Sequence, residues 1–247
     1  MSMFKDQINQ ESLPKHVAVI MDGNGRWAKK IGKARIFGHR NGVKAVRETA
    51  EAAAELGIEH LTLYAFSTEN WNRPKLEVSA LMMLLVDTLK KEINTLNKNN
   101  IKLHAIGDLT KLPKKTYKAL MDGMESTKKN TRMTLHLALN YSSRWEIIEA
   151  AKKIAVLAKE GKLNPNNVDE TEFDKHLATA GIPDPELLIR TSGERRLSNY
   201  LLYQLAYTEL YFTDNYWPEF RKVDFYKALI DFQMRERRFG MTSDQVS

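Results

Sequence analysis

The sequence predicts an α/β domain with a central, mostly parallel six-stranded sheet flanked by helices. Six short runs rich in Val, Ile and Leu recur along the chain, with the length and composition of strands buried on both faces. Longer stretches with helical spacing separate most of them, the alternation that builds βαβ units. No Pro-, Gly- or Ser-rich linker, internal repeat or low-complexity tract divides the 247 residues. One domain is therefore expected over residues 1–247, with 1–13 and 240–247 as flexible tails.

Taken in order, His16–Met21 reads as the first buried strand. Gly38–Leu56 is alanine-rich and helical, and Gly57 stands where a helix C-cap belongs. His60–Phe66 is the second strand, Glu77–Asn99 a long helix and Ile101–Gly107 the third strand. Lys114–Lys129 is helical, Arg132–Leu139 is the fourth strand and Ser143–Lys159 the next helix. Asn164, Pro165, Asn166 and Asn167 mark a surface loop. Glu186–Arg190 and Thr208–Thr213 supply the last two strands, and Val223–Arg238 closes the fold as a helix.

Composition limits what such a domain can do. With 43% hydrophobic and 28% charged residues the chain is no disordered polymer. Its longest apolar run, Ala80–Val86, falls far short of the ~18 residues of a membrane span. No apolar stretch follows Met1, which argues against a secretory signal. The absence of cysteine excludes disulfides, thiolate catalysis and cysteine-rich zinc sites, and makes the cytoplasm the expected compartment. A net charge of +7 suggests anionic partners, whether phosphates, nucleic acid or an acidic membrane surface; a merely solvated basic face is the plain alternative.

In open parallel sheets, ligands gather at the carboxyl ends of the strands. Those ends carry the most polar stretches of the chain: 22–27, 67–73, 140–144 and 190–196. Gly23, Gly25 and Ala28 match the G-x-G-x-x-G/A dinucleotide fingerprint after a strand. The acidic residue that should end the second strand is missing, since Glu48 falls inside a predicted helix, and the fingerprint leaves Arg26 and Trp27 idle. No P-loop motif occurs. An anion site uses the whole segment better. Glycines let backbone N–H groups approach an anion, the next helix N-terminus favours negative charge, and Arg26 offers a planar donor fork. Asp22 would repel a bare phosphate, but suits one bridged by a divalent cation such as magnesium. Arg35 and His39 follow within reach of the same anion. The plain alternative is a strand-to-helix turn with surface charges.

A second anion site is expected at 190–198, where Arg190, Arg195 and Arg196 accompany Ser192 and Ser198. Two such clusters at one sheet edge imply two phosphorylated ligands. Glu209 on the last strand could add a carboxylate for the metal, or be an ordinary salt-bridge partner. Between them, 67–73 offers Glu69, Asn70 and Arg73 beside the apolar wall of Trp71. Asparagine is a poor general base alone, so a proton-transfer role needs an assisting group, and local turn bonding is its plain role. In the long helix Val78, Leu81, Met82, Leu85, Leu89, Ile93 and Leu96 form a stripe that Met83, Leu84 and Val86 widen. A core helix packed on both sides and the wall of a long apolar channel both fit that pattern.

These stretches also carry a resemblance. His16–Ala28, Phe66–Pro74, Leu139-Asn140-Tyr141 with Arg144, and Arg190–Glu194 with Arg196–Leu202, continuing through Gln204, Ala206-Tyr207 and Glu209, resemble the signature blocks of the cis-prenyltransferases. The blocks span 15–238, nearly the whole chain. The resemblance implies condensation of isopentenyl diphosphate with an allylic diphosphate, usually farnesyl diphosphate. The product would be a long cis-polyprenyl diphosphate, undecaprenyl diphosphate in bacterial members, which is the precursor of the lipid carrier for cell-wall synthesis. It also implies dependence on Mg2+, a homodimer and an apolar tunnel beside the sheet. No nucleic-acid partner is implied, and membrane contact would be at most peripheral, at the inner face. Carried over residue by residue, Asp22 is the catalytic aspartate tied to magnesium and diphosphate, and Asn70 helps remove the proton. Gly23, Asn24, Gly25, Arg26, Arg35 and His39 hold the allylic diphosphate, with Trp27 beside them. Ser67, Thr68, Glu69, Trp71 and Arg73 contact substrate. Arg190, Arg196, Leu197 and Ser198 form the isopentenyl diphosphate site, and Glu209 joins Asp22 at the metal. Met133 is the expected tunnel floor that limits product length.

The chain departs from the pattern at Ser142 and Ser143, where glycines are common, and at Tyr203, where a tryptophan is. It lacks the D-D-x-x-D metal motif of trans-prenyltransferases. A nucleic-acid module fits poorly, because Lys and Arg are scattered over many helices without aromatic platforms. Arg235, Arg237 and Arg238 could touch anionic lipid, or end a solvated helix.

Overall fold

The computed structural model describes residues 2–246; Met1 and Ser247, the extremes of the two expected tails, lie outside the described residues. In chain order the elements are α1 (Ser2–Lys5), β1 (His16–Ile20), α2 (Asn24–Lys30), α3 (Arg35–Leu56), β2 (His60–Ser67), α4 (Lys75–Lys98), β3 (Ile101–Ile106), α5 (Lys114–Thr127), β4 (Met133–Tyr141), α6 (Ser143–Lys159), α7 (Glu170–Asp174), β5 (Leu187–Arg190), β6 (Glu209–Phe212), α8 (Lys222–Gln233) and α9 (Ser243–Val246). The six strands form one sheet in the order β3-β4-β2-β1-β5-β6, and every neighbouring pair is parallel. The expected fold class is the observed one. All five residues of β1 are buried, as helices on both faces require.

The strand order also locates the site. From β1 the chain crosses to β2 on one side, and β5 later returns on the other. The loops leaving β1 and β5 therefore diverge, opening the crevice in which such sheets bind ligands. Asp22 follows β1, and Arg190, opposite Ile20 in the register, ends β5.

Differences from the expected elements have local causes. Helix α3 begins at Arg35 rather than Gly38, and α8 stops at Gln233 rather than Arg238. Gly38 is no boundary. It lies where α3 meets α2, and a Cβ there would sit 1.9 Å from the Asn24 carbonyl oxygen. Past α8 the chain turns, and Arg235 reaches back to Glu209, Asp231 and the Leu210 carbonyl. No helix joins β5 to β6 among the described residues. Instead 191–208 is a loop in which Ser192, Ser198, Asn199 and Leu201 all have positive φ. Such conformations disfavour ordinary side chains and persist where surrounding contacts impose them.

The sheet has two differently built faces. Val17, Val19, Leu61, Leu63, Leu135 and Leu137 point into the larger apolar cluster. The opposite face packs Ala18, Ile20, Ala138 and Leu188 against Tyr141, Tyr200 and Leu201. Across four strands this second face carries a row of histidines, His16 and His60 at the starts of β1 and β2 and His104 and His136 within β3 and β4. His104 Nδ1 lies 3.0 Å from His136 Nδ1, and His136 Nε2 lies 3.0 Å from His60 Nδ1. His16 stands beside them, with its ring centroid 5.7 Å from that of His60. At the carboxyl end, buried Glu146 accepts hydrogen bonds from Tyr141 Oη at 2.6 Å, Gln204 Nε2 at 3.0 Å and the Ala178 N–H at 2.9 Å. It pins the 191–208 loop to α6. No helix among the described residues is long and apolar enough to cross a membrane.

Candidate active site

The sharp turn after β1 sets the geometry. Gly23 takes φ +96°, and a Cβ on it would lie 2.7 Å from both Ser192 and Tyr216. Glycine is needed there for conformation and for space. The turn presents Asp22, whose main-chain N–H donates to Thr191 Oγ1 at 2.9 Å while the same hydroxyl donates to the Asp22 carbonyl at 2.8 Å. The carboxylate accepts from the Gly23 N–H at 2.6 Å and from Arg190 Nη2 at 2.9 Å, with Arg26 Nη2 at 3.2 Å. Burial pushes this carboxyl up, but the bond from Arg190, the Gly23 N–H and the Arg26 charge outweigh it, so its pKa lies below the usual carboxylate range. Asp22 is a committed anion in an arginine cluster.

Arg190 is the deepest member, its side chain 3% exposed. Besides Asp22 it donates to Ser198 Oγ at 2.8 Å and to the Arg196 carbonyl. Its Nε is buried without a partner. Arg26 donates to Glu194 at 2.7 Å and to Ser192 Oγ, and Arg196 also pairs with Glu194. The two expected arginine clusters are thus one cluster, bridged by Glu194. Asn24 is buried; it donates to the Met21 carbonyl at 3.1 Å, and its Oδ1 has no partner.

A second group faces it across the crevice. Ser67 and Asn70 cap each other: the Ser67 N–H donates to Asn70 Oδ1 at 3.2 Å, while the Ser67 hydroxyl accepts from the Asn70 N–H. Asn70 is fixed by its own turn, as its plain role anticipated, and it still lines the cavity. Asn199 Nδ2 holds Glu69 at 2.7 Å, and Trp71 Nε1 donates to Asn140 Oδ1 at 2.7 Å. Arg35 and Arg73 converge on Glu77, each at 3.3 Å. His39 is driven to a pKa of about 4, chiefly by burial and then by Arg73, so it is neutral at pH 7; its Nε2 has no partner.

All of this forms the mouth of a single cavity of about 750 Å³ that runs between α3, α4 and the sheet. Asp22, Asn24, His39, Ser67, Glu69, Asn70, Arg73, Arg190, Arg196 and Ser198 line it. Beyond them the lining is mostly apolar, through Val43, Leu81, Leu85 and Leu137 to Ile101 and Leu135 toward the amino ends of the strands, interrupted on the helix side by the Arg47–Glu92 ion pair, Glu51, Thr88, Thr95 and Asn99. The long helix α4 therefore walls a cavity as well as packing into the core. Gly23, Gly25, Arg26, Trp27, Arg35, Thr68, Trp71 and Leu197 stand around the mouth without lining it. Met133 does not line the cavity either. It lies two residues before Leu135 on β4, buried in the same apolar cluster.

Glu209 is not brought to Asp22 within this chain. It opens β6, opposite Leu187, whereas Asp22 lies beyond the other end of the sheet, past the Arg190–Phe212 pair. At ~3.3 Å per residue the strand alone separates them by about 10 Å. Its carboxylate is ion-paired with Arg235 at 2.9 Å, the salt-bridge alternative. No cluster of three or more potential metal ligands occurs among the described residues.

Sequence patterns had not singled out Thr191 or Asn199, which orient Asp22 and Glu69, or Tyr64 and Trp217, which line the cavity. The serines at the departures from the family pattern fit without strain. Ser142 is extended at φ −154°, while Asn140 takes the positive φ of 48°. Ser143 Oγ accepts from the Leu202 N–H at 3.0 Å, tying down the 191–208 loop. Tyr203 packs on Phe173 with ring centroids 5.3 Å apart. For the dinucleotide alternative, β2 ends at Ser67, the carboxylate that follows it, Glu69, is held by Asn199, and the sheet order is not the 3-2-1-4-5-6 of that fold.

A family model described as "Putative undecaprenyl diphosphate synthase" matches residues 20–240. An isoprenyl transferase of Chlorobaculum tepidum is 52% identical over 95% of this chain and 88% of that protein. A ditrans,polycis-undecaprenyl-diphosphate synthase of Haemophilus influenzae, described as (2E,6E)-farnesyl-diphosphate specific, is 50% identical over 96% of this chain and 99% of that protein. Among solved structures, lavandulyl diphosphate synthase from Lavandula x intermedia, in complex with dimethylallyl diphosphate, superposes with a TM-score of 0.91. It is 40% identical, over 93% of this chain and 99% of that one.

Proposed function

The chain belongs to the undecaprenyl diphosphate synthase family of prenyltransferases, and from that footing we propose that it condenses isopentenyl diphosphate with farnesyl diphosphate, cycle after cycle, to give undecaprenyl diphosphate. The observation that carries this is one cavity with an arginine-rich mouth and a body lined mostly by apolar side chains of α3, α4 and the sheet. It suits a ligand with a diphosphate head and a long hydrocarbon tail.

On this proposal Arg190, Arg196 and Ser198 take the diphosphate of isopentenyl diphosphate. Gly23, Asn24, Gly25, Arg26, Arg35 and His39 take the allylic one, with Trp27 at its edge. The buried unpartnered atoms of Arg190, Asn24 and His39 support a mouth built for a polar ligand. Two diphosphates held in register make the attack of one chain on the other effectively intramolecular. The arginines stabilise charge growing on the departing diphosphate at the mouth of the cavity. Asn70, fixed by Ser67, sits where a proton must leave, and Thr68, Glu69, Trp71, Arg73 and Leu197 shape the pocket around it.

The donor set fits a magnesium ion that comes with its substrate. Asp22 offers one ionised carboxylate, and magnesium commonly takes one or two carboxylates with the rest of its shell from phosphate and water. When bound, such an ion neutralises diphosphate charge. Asp22 would hold it, and Glu209, held by Arg235, is left out of this chain's own set. We further place the protein in the cytoplasm as a homodimer, with at most peripheral membrane contact. Exposed Leu202, Tyr207 and Met234, close in sequence to edge strand β6 or to the residue bonded to it, are surface a second copy would cover.

Incubation of the purified protein with farnesyl diphosphate, isopentenyl diphosphate and Mg2+ should yield chain-elongated products, resolved by length after dephosphorylation. Absence of elongation overturns the proposal, and tight NAD(P) binding would favour the dinucleotide alternative. Met133→Ala should lengthen the products, because it frees side-chain volume in the apolar cluster that Met133 shares with the lining residue Leu135. An unchanged length distribution would show that the cavity ends elsewhere.

A further inference from the structure

Between Asp22 and Glu48 the sequence carries eight Lys and Arg and no Asp or Glu. That stretch alone exceeds the net charge of +7, so the rest of the chain is left at −1. In the fold it forms α2, the link to α3 and the first turns of α3. Residues 29–35 are exposed without a break. Four of its cations are held: Arg26 by Asp22 and Glu194, Arg35 by Glu77, Lys44 by Glu48 and Arg47 by Glu92. Lys29, Lys30, Lys33 and Arg40 pair with no carboxylate among the described residues; Lys30 lies 5.8 Å over the Tyr216 ring.

Apolar side chains stand among these cations. Ile31 is 45% exposed and Phe37 39%, and the Phe37 ring lies parallel to Trp27 at 6.0 Å between centroids. The Arg35–Glu77 pair ties the start of α4 to this rim, where Leu76 is 87% exposed and Lys75 is exposed beside it. Nearby carboxylates are engaged: Glu77 with Arg35 and Arg73, and Glu219 with the Trp27 indole. The same two helices wall the cavity, through His39 and Val43 on α3 and Leu81 on α4.

We propose that this rim is a docking surface for an anionic lipid bilayer. Lys29, Lys30, Lys33 and Arg40 meet the headgroups, and Ile31, Phe37 and Leu76 enter the headgroup–acyl boundary. Cations without carboxylate partners set among exposed apolar side chains are what an interfacial surface needs. A nucleic-acid backbone would reward the cations and leave the apolar side chains wet. The surface rests on the proposed function only for its consequence: the mouth of a cavity that holds an apolar chain would face the bilayer into which that chain must go. Each basic residue near an anionic surface strengthens partition roughly fivefold.

Sedimentation of the full chain with vesicles tests this apart from turnover. The protein should bind vesicles of mixed phosphatidylglycerol and phosphatidylcholine, bind pure phosphatidylcholine far less, and lose binding as salt rises. The triple variant Lys29→Gln, Lys30→Gln, Lys33→Gln should partition about a hundredfold more weakly, with an unchanged melting temperature and unchanged turnover in detergent solution. Ile31→Ser with Leu76→Ser should weaken binding without altering its salt dependence. Equal binding to both vesicle types, an unaffected triple variant, or tighter binding to a DNA duplex than to the anionic vesicles overturns the proposal. Vesicle binding that survives in a protein unable to elongate farnesyl diphosphate leaves this surface standing and removes the proposed function instead.

Discussion

Asp22→Asn should lower turnover by roughly 10³ or more while the protein remains folded. Two quantities make this the largest catalytic effect expected. Removing a single preorganised electrostatic partner from an active site commonly costs 10²–10³ in rate, and Asp22 is also the one carboxylate suited to the metal. Asparagine keeps the shape and an acceptor for Arg190, so the arginine cluster should hold. Asp22→Ala is the harsher variant. It leaves the Arg190 guanidinium, 3% exposed, without its carboxylate. Losing one partner of a buried pair costs about 3–5 kcal/mol of stability, a sum the remaining bonds to Ser198 and the Arg196 carbonyl would reduce. Steady-state kinetics on Asp22→Asn, with its circular dichroism and melting temperature beside the parent's, separate chemistry from folding. A folded variant with near-normal turnover would remove the assigned role.

Acid should destabilise the protein well above the pH at which carboxylates titrate, through the histidines of the second sheet face. His16 Nδ1 donates to the Pro183 carbonyl at 2.6 Å, and in the neutral ring its Nε2 accepts from Thr62 Oγ1, also at 2.6 Å. Burial, outweighing the Pro183 bond and aided by His60, lowers its pKa to about 4. His136, between His104 and His60, is lowered further by burial, by those neighbours and His16, and by Lys102. Burial also lowers His60, against the pull of Glu59, and His104, with help from Lys102.

An unfolded histidine takes its proton near pH 6.5. Because the folded values are depressed, the unfolded state binds more protons below that point. The stabilisation is therefore complete above about pH 7 and declines as pH falls from 6.5 toward 4. At pH 5 the loss is about 2 kcal/mol for each of His16 and His136, a large share of a stability of ~5–15 kcal/mol. Asp184, raised to about 6 by burial and Asp174, works in the opposite direction and offsets part of it. Urea unfolding at pH 7.5, 6 and 5 measures the slope. A midpoint that does not move over this range would refute the assignment, and His136→Leu should flatten the slope.

Of these two effects only the first was visible in the primary structure. The histidines lie at 16, 60, 104 and 136, far apart in the chain, and become neighbours only through the strand order and the registers His16–His60 and His104–His136. Asp22 and the arginine cluster were legible as two separate anion sites, because a loaded strand end is a local pattern. Their fusion through Glu194, and the Asp22–Arg190 pair across 168 positions, depend on β1 and β5 lying side by side. Glu209 shows the converse. Its residue type and strand suited a metal ligand, but within this chain a parallel strand that begins at Glu209 keeps it at the far end of the sheet from Asp22.

Fold class, the strands and most helices were readable from residue order, since buried parallel strands must be apolar runs and packed helices must repeat an apolar face. Those demands act between residues a few positions apart. The start of α3 escaped them, because Gly38 resembles a boundary until the Asn24 carbonyl is seen against it. The shared cavity, the neutral histidine row and the unpaired cations at its rim arose only on folding. Hydrogen bonds, desolvation and charge pairing act through space, and the sheet register decides which distant residues come within their reach.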